Sequence, residues 1–357
     1  MKKVLSMFLA VAMMASLMAC NNQPPPSAET SNNEAVTGTD TPKKEEPATP
    51  AEVANMDDIK ADLGSDPAKT EYYFVFVPKL VHPFYEPIKK GFEAAVEEYA
   101  AQGVTIKWDW DAPAAADAVL QTEKIEQAVV KNPDAIGIAV QEPAVIDAIV
   151  GEVEAAGKPV VLFADDTASG TGSAFVGIKD LVGTGEIMGE LLAEDIGYKG
   201  EVALLLGTLT AESHIDRIQG IKNALAKYPD ITIVAEQASD DNLEKAVQET
   251  EKMLNAYPNL AAIISGDGSG AAGAARAVVD SGKKDQVLVY GFDDIDENIA
   301  GIRDGSIKAC YAQDAFKTGY YAMKAMVSVA DKKYPDKVSI ESDNRLLELG
   351  TLEQYGY

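Results

Sequence analysis

From residue 71 onward, short apolar runs alternate with longer amphipathic stretches. The first run, 72–77 (YYFVFV), is apolar throughout, as a strand buried on both faces requires. Pro78 ends it, because proline has no N–H to give the ladder, and a helix is expected from Phe84. Further strands are expected at 105–110, 135–140 and 159–163, with helices near 84–101, 115–131, 143–156 and 181–196. A second series places strands at 201–206, 232–235, 261–264 and 287–290 and helices near 213–227, 243–256, 271–281 and 294–302. Gly103, Gly157, Gly197 and Gly282 follow helical runs, where a C-terminal glycine belongs. Repeated βα units call for α/β architecture, with parallel sheets and helices on both faces. In such sheets ligands bind at the carboxyl ends of the strands.

The alternation breaks at 165–177, DDTASGTGSAFVG, a Gly/Ser/Thr-rich stretch between two sets of βα units. The pattern therefore predicts two tandem doubly wound, Rossmann-like lobes with a ligand cleft between them. The end of the first strand carries Lys79, His82, Phe84 and Tyr85 toward that cleft. Phe84 and Tyr85 would suit a flat apolar wall for a ligand, or equally core packing at a helix start. Asp165 and Asp166 follow the strand at 159–163 and could accept hydroxyls, hold a cation or cap a solvated turn. Arg217, early in a helix after Ser213 and His214, offers a planar fork for vicinal hydroxyls. Asp240, Asp241, Asp267, Asp293 and Gln313 also follow expected strands, where each could instead cap a turn. Trp108 and Trp110 alternate with Asp109 and Asp111, so both rings face one way, toward core packing.

The chain has 357 residues, room for about two domains, and a net charge of −26. That balance argues against a nucleic-acid partner, which needs basic patches. Lys2, Lys3 and the apolar stretch 4–17 read as a secretory signal. It closes with Leu17-Met18-Ala19-Cys20, which resembles the lipobox of bacterial lipoproteins and implies cleavage after residue 19 and lipid on Cys20. Ordinary signal cleavage beside a chance cysteine is the bland alternative. Loss of Lys2 and Lys3 with no acid would take the charge to −28. Residues 20–69 begin with a Pro-, Thr-, Glu-, Asn- and Ala-rich segment that reads as a flexible tether, with a weak helix possible at 51–63. Cys310 is the second of two cysteines, expected to pack in a strand, and His82 and His214 are the only histidines. Neither a Cys–His nucleophile nor a zinc site is indicated, and no metal is expected.

Val81-His82-Pro83-Phe84-Tyr85, Gly157-Lys158-Pro159-Val160-Val161, Val289-Tyr290-Gly291-Phe292-Asp293-Asp294 and Ala312-Gln313 together resemble the type I periplasmic sugar-binding proteins. These are solute receptors of ABC importers and include ribose-binding protein. Pro78-Lys79-Leu80-Val81 is closer to the autoinducer and rhamnose receptor branch. The resemblance implies ligand contacts from Lys79, His82, Phe84, Tyr85, Asp165, Asp166, Ser213, Arg217, Asp241, Asp267, Asp293 and Gln313, with Asp166 preferred over Asp165 and Asp293 first of all. His82 stands where the family usually has Asn, and Ser213-His214 replaces the Asp-Gln pair of the autoinducer branch, so the autoinducer is a poor fit. The usual aromatic near residue 241 is absent, which implies a more polar pocket. A first lobe of 70–176 with 314–340, and a second of 177–313 with 341–357, would close about a hinge of three strands near Val176, Tyr311 and Ile340.

The expected protein is thus a lipid-anchored, extracytoplasmic solute receptor, a monomer without cofactor or catalysis. It would take up a monosaccharide or related polyol and present it to an ABC permease, with a Gram-positive surface favoured over a periplasm; the count of carboxylates expected at the cleft leaves an amino sugar or another cationic solute as a hypothesis. A receptor feeding a sensory system is a related alternative. The sharpest rival rests on Gly268-Ser269-Gly270-Ala271-Ala272-Gly273, a G-x-G-x-x-G that follows a strand and opens a helix, with Asp293 twenty residues beyond. It would make the chain an exported NAD-dependent oxidoreductase. Asp294-Ile295-Asp296 begins like a calcium loop but has Ile299 and Gly305 where Gly and Glu are needed.

Overall fold

The computed structural model describes residues 56–357. The expected signal (1–19), the lipid-bearing Cys20 and the tether up to residue 55 lie outside the described residues. In chain order the elements are α1 (Met56–Asp62), β1 (Glu71–Val77), α2 (Tyr85–Ala101), β2 (Thr105–Trp110), α3 (Ala118–Val130), β3 (Ala135–Ile138), α4 (Pro143–Ala155), β4 (Val160–Ala164) and β5 (Ala174–Gly177). There follow α5 (Leu181–Asp195), β6 (Gly200–Leu205), α6 (Glu212–Leu225), β7 (Ile231–Gln237), α7 (Leu243–Ala256), β8 (Leu260–Ser265), α8 (Gly270–Asp280), β9 (Leu288–Phe292) and α9 (Asp296–Asp304). The chain ends with β10 (Ala309–Gln313), α10 (Ala315–Ala330), β11 (Val338–Glu341), β12 (Asn344–Leu347) and a 3-10 turn at Glu353–Tyr355.

The strands form two six-stranded sheets, one in each of two α/β lobes: β11-β5-β4-β3-β1-β2 and β12-β10-β9-β8-β6-β7. The chain passes between the sheets three times, after β5, after β10 and after β11. Every strand pair is parallel except β10 with β12. Only Ser342 and Asp343 separate β11 from β12, too few for the crossover a parallel return requires, so β12 enters the second sheet against β10. The apolar runs give the strands for the expected reason: β3, β4 and β5 are buried at every position.

In the first lobe Phe76 of β1 stacks on Phe92 of α2 at 4.1 Å between ring centroids, with Trp108 and Phe163 edge-on. Ile88, Phe92, Ala95 and Tyr99 bring one face of α2 onto this cluster. The helix pairs α2/α10 and α5/α6 meet backbone to backbone. A Cβ on Gly319 would lie 2.0 Å from the Ile88 carbonyl oxygen, and one on Gly220 2.0 Å from that of Val182.

The start of the folded body differs from expectation. The tether was expected to run to residue 69 with a weak helix at 51–63; α1 lies within that helix's bounds, and from Ile59 the segment packs on the first lobe. Leu63 is buried, the Gly64 N–H donates to Ser328 Oγ at 2.7 Å, and Lys333 holds the Asp62 carboxylate at 2.7 Å. Leu63 with Ile59 beside it, the Gly64 N–H and the Asp62 carboxylate thus order a segment whose composition is polar.

Candidate functional site

The carboxyl ends of β1, β4, β9 and β10 and the N-terminal turn of α6 converge between the two sheets. They line a cavity of about 40 Å³. Ten of the twelve expected site residues line it: Lys79, His82, Phe84, Tyr85 and Asp165 from the first lobe, and Ser213, Arg217, Asp241, Asp293 and Gln313 from the second. Leu80, Ala164, Leu181 and His214 complete the lining and were not expected there.

The first lobe's wall is aromatic below and charged above. Phe84 and Tyr85 meet edge to face at 5.2 Å, and Tyr85 is backed by Trp110 and Phe163. The Tyr85 hydroxyl accepts from the Lys79 N–H at 3.4 Å, which ties the charged loop to the rings. The Lys79 ammonium pairs with Asp165 at 2.7 Å and reaches across the cleft to Ser213 Oγ at 3.2 Å. His82 also crosses the cleft. Its Nδ1 accepts from the Phe84 N–H at 3.2 Å, so in the neutral ring Nε2 carries the proton. Nε2 faces Ser269 Oγ at 2.8 Å and Asp241 at 3.4 Å. Burial pulls the His82 pKa below its ordinary value, against the pull of Asp293 and Asp267.

On the second lobe the Arg217 guanidinium lies 4.5 Å over the Phe292 ring, 3.4 Å from the Gly266 carbonyl oxygen and 3.7 Å from Asp293. His214 accepts from the Thr208 N–H through Nδ1, and burial first, then Lys79 and Arg217, drive its pKa well down. It therefore faces the cavity as a neutral ring. Three buried atoms at the cavity have no hydrogen-bond partner: Arg217 Nε, Asp293 Oδ1 and Gln313 Oε1. Each such atom costs about 1–3 kcal/mol while unpaired, so the site is built for something that pairs them.

Backbone strain gathers at the same rim. Ala164, Asp241 and Asp293 have φ of 64°, 51° and 67°, in the left-handed region that L residues rarely adopt. The Asn298 amide holds the loop after β9 in place by donating to the Phe292, Gly268 and Asp293 carbonyl oxygens. Nothing in the sequence pattern singles out Asn298, which reads as one more polar residue early in a helix.

Two expected site residues are placed elsewhere. Asp166, preferred over Asp165 from the sequence, pairs with Lys337 at 2.6 Å and accepts from the Thr167 N–H, away from the cavity lining. The left-handed turn at Ala164 presents Asp165 to the cleft and its neighbour to the side. Asp267 is fully buried behind the wall, accepting from Ser239 Oγ and from the Gly270 N–H at the start of α8. Asp240, also considered, is exposed and paired with Lys245.

The glycines of 268–273 serve packing. A Cβ on Gly270 would lie 2.0 Å from Ser265 Oγ, and one on Gly273 2.6 Å from the Leu243 carbonyl oxygen of α7. Cys310 is free and fully buried, as packing requires. Among the described residues no group of three His, Cys, Asp or Glu is arranged to hold a metal, and no helix is long and apolar enough to cross a membrane.

Two α/β lobes joined by three crossings, with a polar cavity between them, define a hinged binding protein. The sequence profile of the periplasmic binding protein domain matches residues 73–334, and the chain belongs to that family. It is 25% identical over 337 residues to the ribose import binding protein RbsB of Bacillus subtilis, covering 94% of this chain and 96% of that one. It is 29% identical over 265 residues to the D-allose-binding periplasmic protein of Escherichia coli, covering 71% and 83% respectively. A solved ABC transporter solute-binding protein from Burkholderia graminis, in complex with D-arabinose, superposes with a TM-score of 0.75 at 26% identity, covering 81% of this chain and 99% of that one.

Proposed function

We propose that the protein is an extracytoplasmic solute receptor that captures a monosaccharide or related polyol between its lobes and delivers it to an ABC permease. The observation that carries this reading is the trio of unpaired buried atoms, Arg217 Nε, Asp293 Oδ1 and Gln313 Oε1, around an interlobe cavity beside Phe84 and Tyr85. A polyhydroxylated ring offers both donors and acceptors to such atoms and an apolar face to the rings. The names of the relatives support the same class, since they are receptors for ribose, allose and arabinose.

In this reading the lobes, 70–176 with 314–340 and 177–313 with 341–357, rock about the crossings near Val176, Tyr311 and Ile340. Lys79 with Ser213, and His82 with Ser269, join the lobes when the cleft is shut. The closed face is what the permease recognises, and nothing is catalysed. Cys20 carries the lipid that anchors the receptor as a monomer on the outer face of the membrane, most simply at a Gram-positive surface.

Thermal melting of the protein against pentoses, hexoses, deoxysugars, polyols, amino sugars and NAD tests this. A ligand at a hundred times its dissociation constant adds about 2.7 kcal/mol. A stabilisation by one sugar or polyol, lost in Asp293→Ala, is the expected result. Stabilisation by NAD alone would overturn the receptor reading.

A further inference from the structure

The geometry points to a ligand that carries a protonated amine, seated against Asp241 and Asp293 on the second lobe's wall. This deepens the receptor reading and rests on it. The cavity is lined by three carboxylates, Asp165, Asp241 and Asp293, and by two permanent cations, Lys79 and Arg217. Lys79 is committed to Asp165 at 2.7 Å. Arg217 divides itself between the Phe292 ring, the Gly266 carbonyl oxygen and a long 3.7 Å approach to Asp293. That leaves Asp293 Oδ1 buried with no hydrogen bond, on a side chain only 9% exposed.

Asp241 is left facing a histidine. The Phe84 N–H occupies His82 Nδ1, so the neutral ring turns its Nε2 to Ser269 Oγ at 2.8 Å and stands 3.4 Å from Asp241 without a cation's charge. Burial opposes its protonation. The other charged groups around His82 are Asp293, Asp267, Lys79 and Glu297, and the acids among them do not overcome burial.

Asp241 and Asp293 flank one piece of backbone. Asp241 Oδ1 is 3.4 Å from the Ser269 N–H, and Asp293 Oδ2 is 2.7 Å from where a Cβ on Gly268 would stand. Asp267 lies buried behind the same turn. Burial first, and then the charge of Asp293, push the Asp241 carboxyl well above its ordinary range. Lys79 and Arg217 favour its carboxylate less strongly than burial and Asp293 oppose it, so a further cation beside it stabilises the charged form. A neutral hydroxyl would satisfy the hydrogen bonds and leave the surplus charge. An ammonium group satisfies both.

The test uses matched sets: glucose, galactose, mannose and 6-hydroxy parents against glucosamine, galactosamine, mannosamine and 6-amino-6-deoxyglucose, with the N-acetyl forms that keep the nitrogen and lose the charge. Dissociation constants are measured by calorimetry on the wild-type protein and on Asp241→Asn, whose unliganded melting temperature shows that it folds. The expected result is an amine bound at least tenfold more tightly than its hydroxyl parent, about 1.4 kcal/mol, with the N-acetyl form no better than the parent. The ratio of the two affinities should collapse in Asp241→Asn. A neutral sugar that binds as well as its amine, with a ratio unmoved by Asp241→Asn, would overturn the inference and leave the receptor reading standing. An amine preference that persists in Asp241→Asn would overturn the placement at Asp241. No heat and no stabilisation with any sugar, neutral or aminated, would overturn both.

Discussion

The first lobe brings packed rings and a mutually paired Lys79 and Asp165 to the cleft, and the second brings two carboxylates and a guanidinium. Phe84 and Tyr85 rest on Trp110 and Phe163, a cluster continuous with the lobe's core. Across the cavity, Arg217, Asp241 and Asp293 stand on strand ends and a helix start, held in left-handed turns and by the Asn298 amide. Rings gain by burial whether or not a ligand is present. Buried charges with unpaired atoms gain only when something arrives to pair them. One wall is therefore chiefly structural and the other chiefly selective, and substitutions should separate the two.

The largest effect is expected on the polar wall. Arg217→Ala leaves Asp293 without its cation and removes the only fork in the cleft. Ligand affinity should fall by about 3 kcal/mol or more, over a hundredfold, as calorimetry would show. Because a buried charge is left unpaired, the unliganded protein should lose about 3 kcal/mol of stability as well. Phe84→Ala should cost about 3 kcal/mol of stability in urea melts, with a smaller loss of affinity.

A smaller, pH-dependent effect separates the charge behind the wall from those on it. Burial pushes the Asp267 carboxyl above its ordinary value of 3.8. A carboxyl raised in the folded state adds stability at low pH that is lost as pH rises through the folded value. Relative to Asp267→Asn, the wild type should therefore gain stability as pH falls from neutral toward 4. A difference that is flat or opposite in sign over that range would contradict the assignment. The smallest expected change is Ala164→Gly, which relieves a left-handed alanine and should stabilise the protein by about 1 kcal/mol in the same melts.

Much of the fold was legible because the parallel strands are nearly continuous apolar runs: β2 and α7 fall on the expected residues, and β1 within one. The short strands β5, β11 and β12 were harder. β5 sits inside the Gly/Ser/Thr-rich stretch, and β12 runs antiparallel because two residues cannot make a crossover. The cavity lining was legible in outline, since the ends of β1, β4, β7, β9 and β10 carry polar residues to one edge. Direction was not. A left-handed turn at Ala164 decides that Asp165 rather than Asp166 faces the cavity, and alanine gives no sign of such a turn. The role of Asp267 depends on how deeply the start of α8 is buried, which only packing determines. His214 enters the lining because the Thr208 N–H orients its ring, a contact between residues six apart.

The measurement that bears most directly on the central claim is titration calorimetry of the whole protein with the sugar or amino sugar that raises its melting temperature most, repeated on Asp293→Ala. One ligand per chain, with binding abolished or weakened at least a hundredfold in the variant, is the predicted result. Binding that survives unchanged in Asp293→Ala would place the ligand elsewhere and contradict the account.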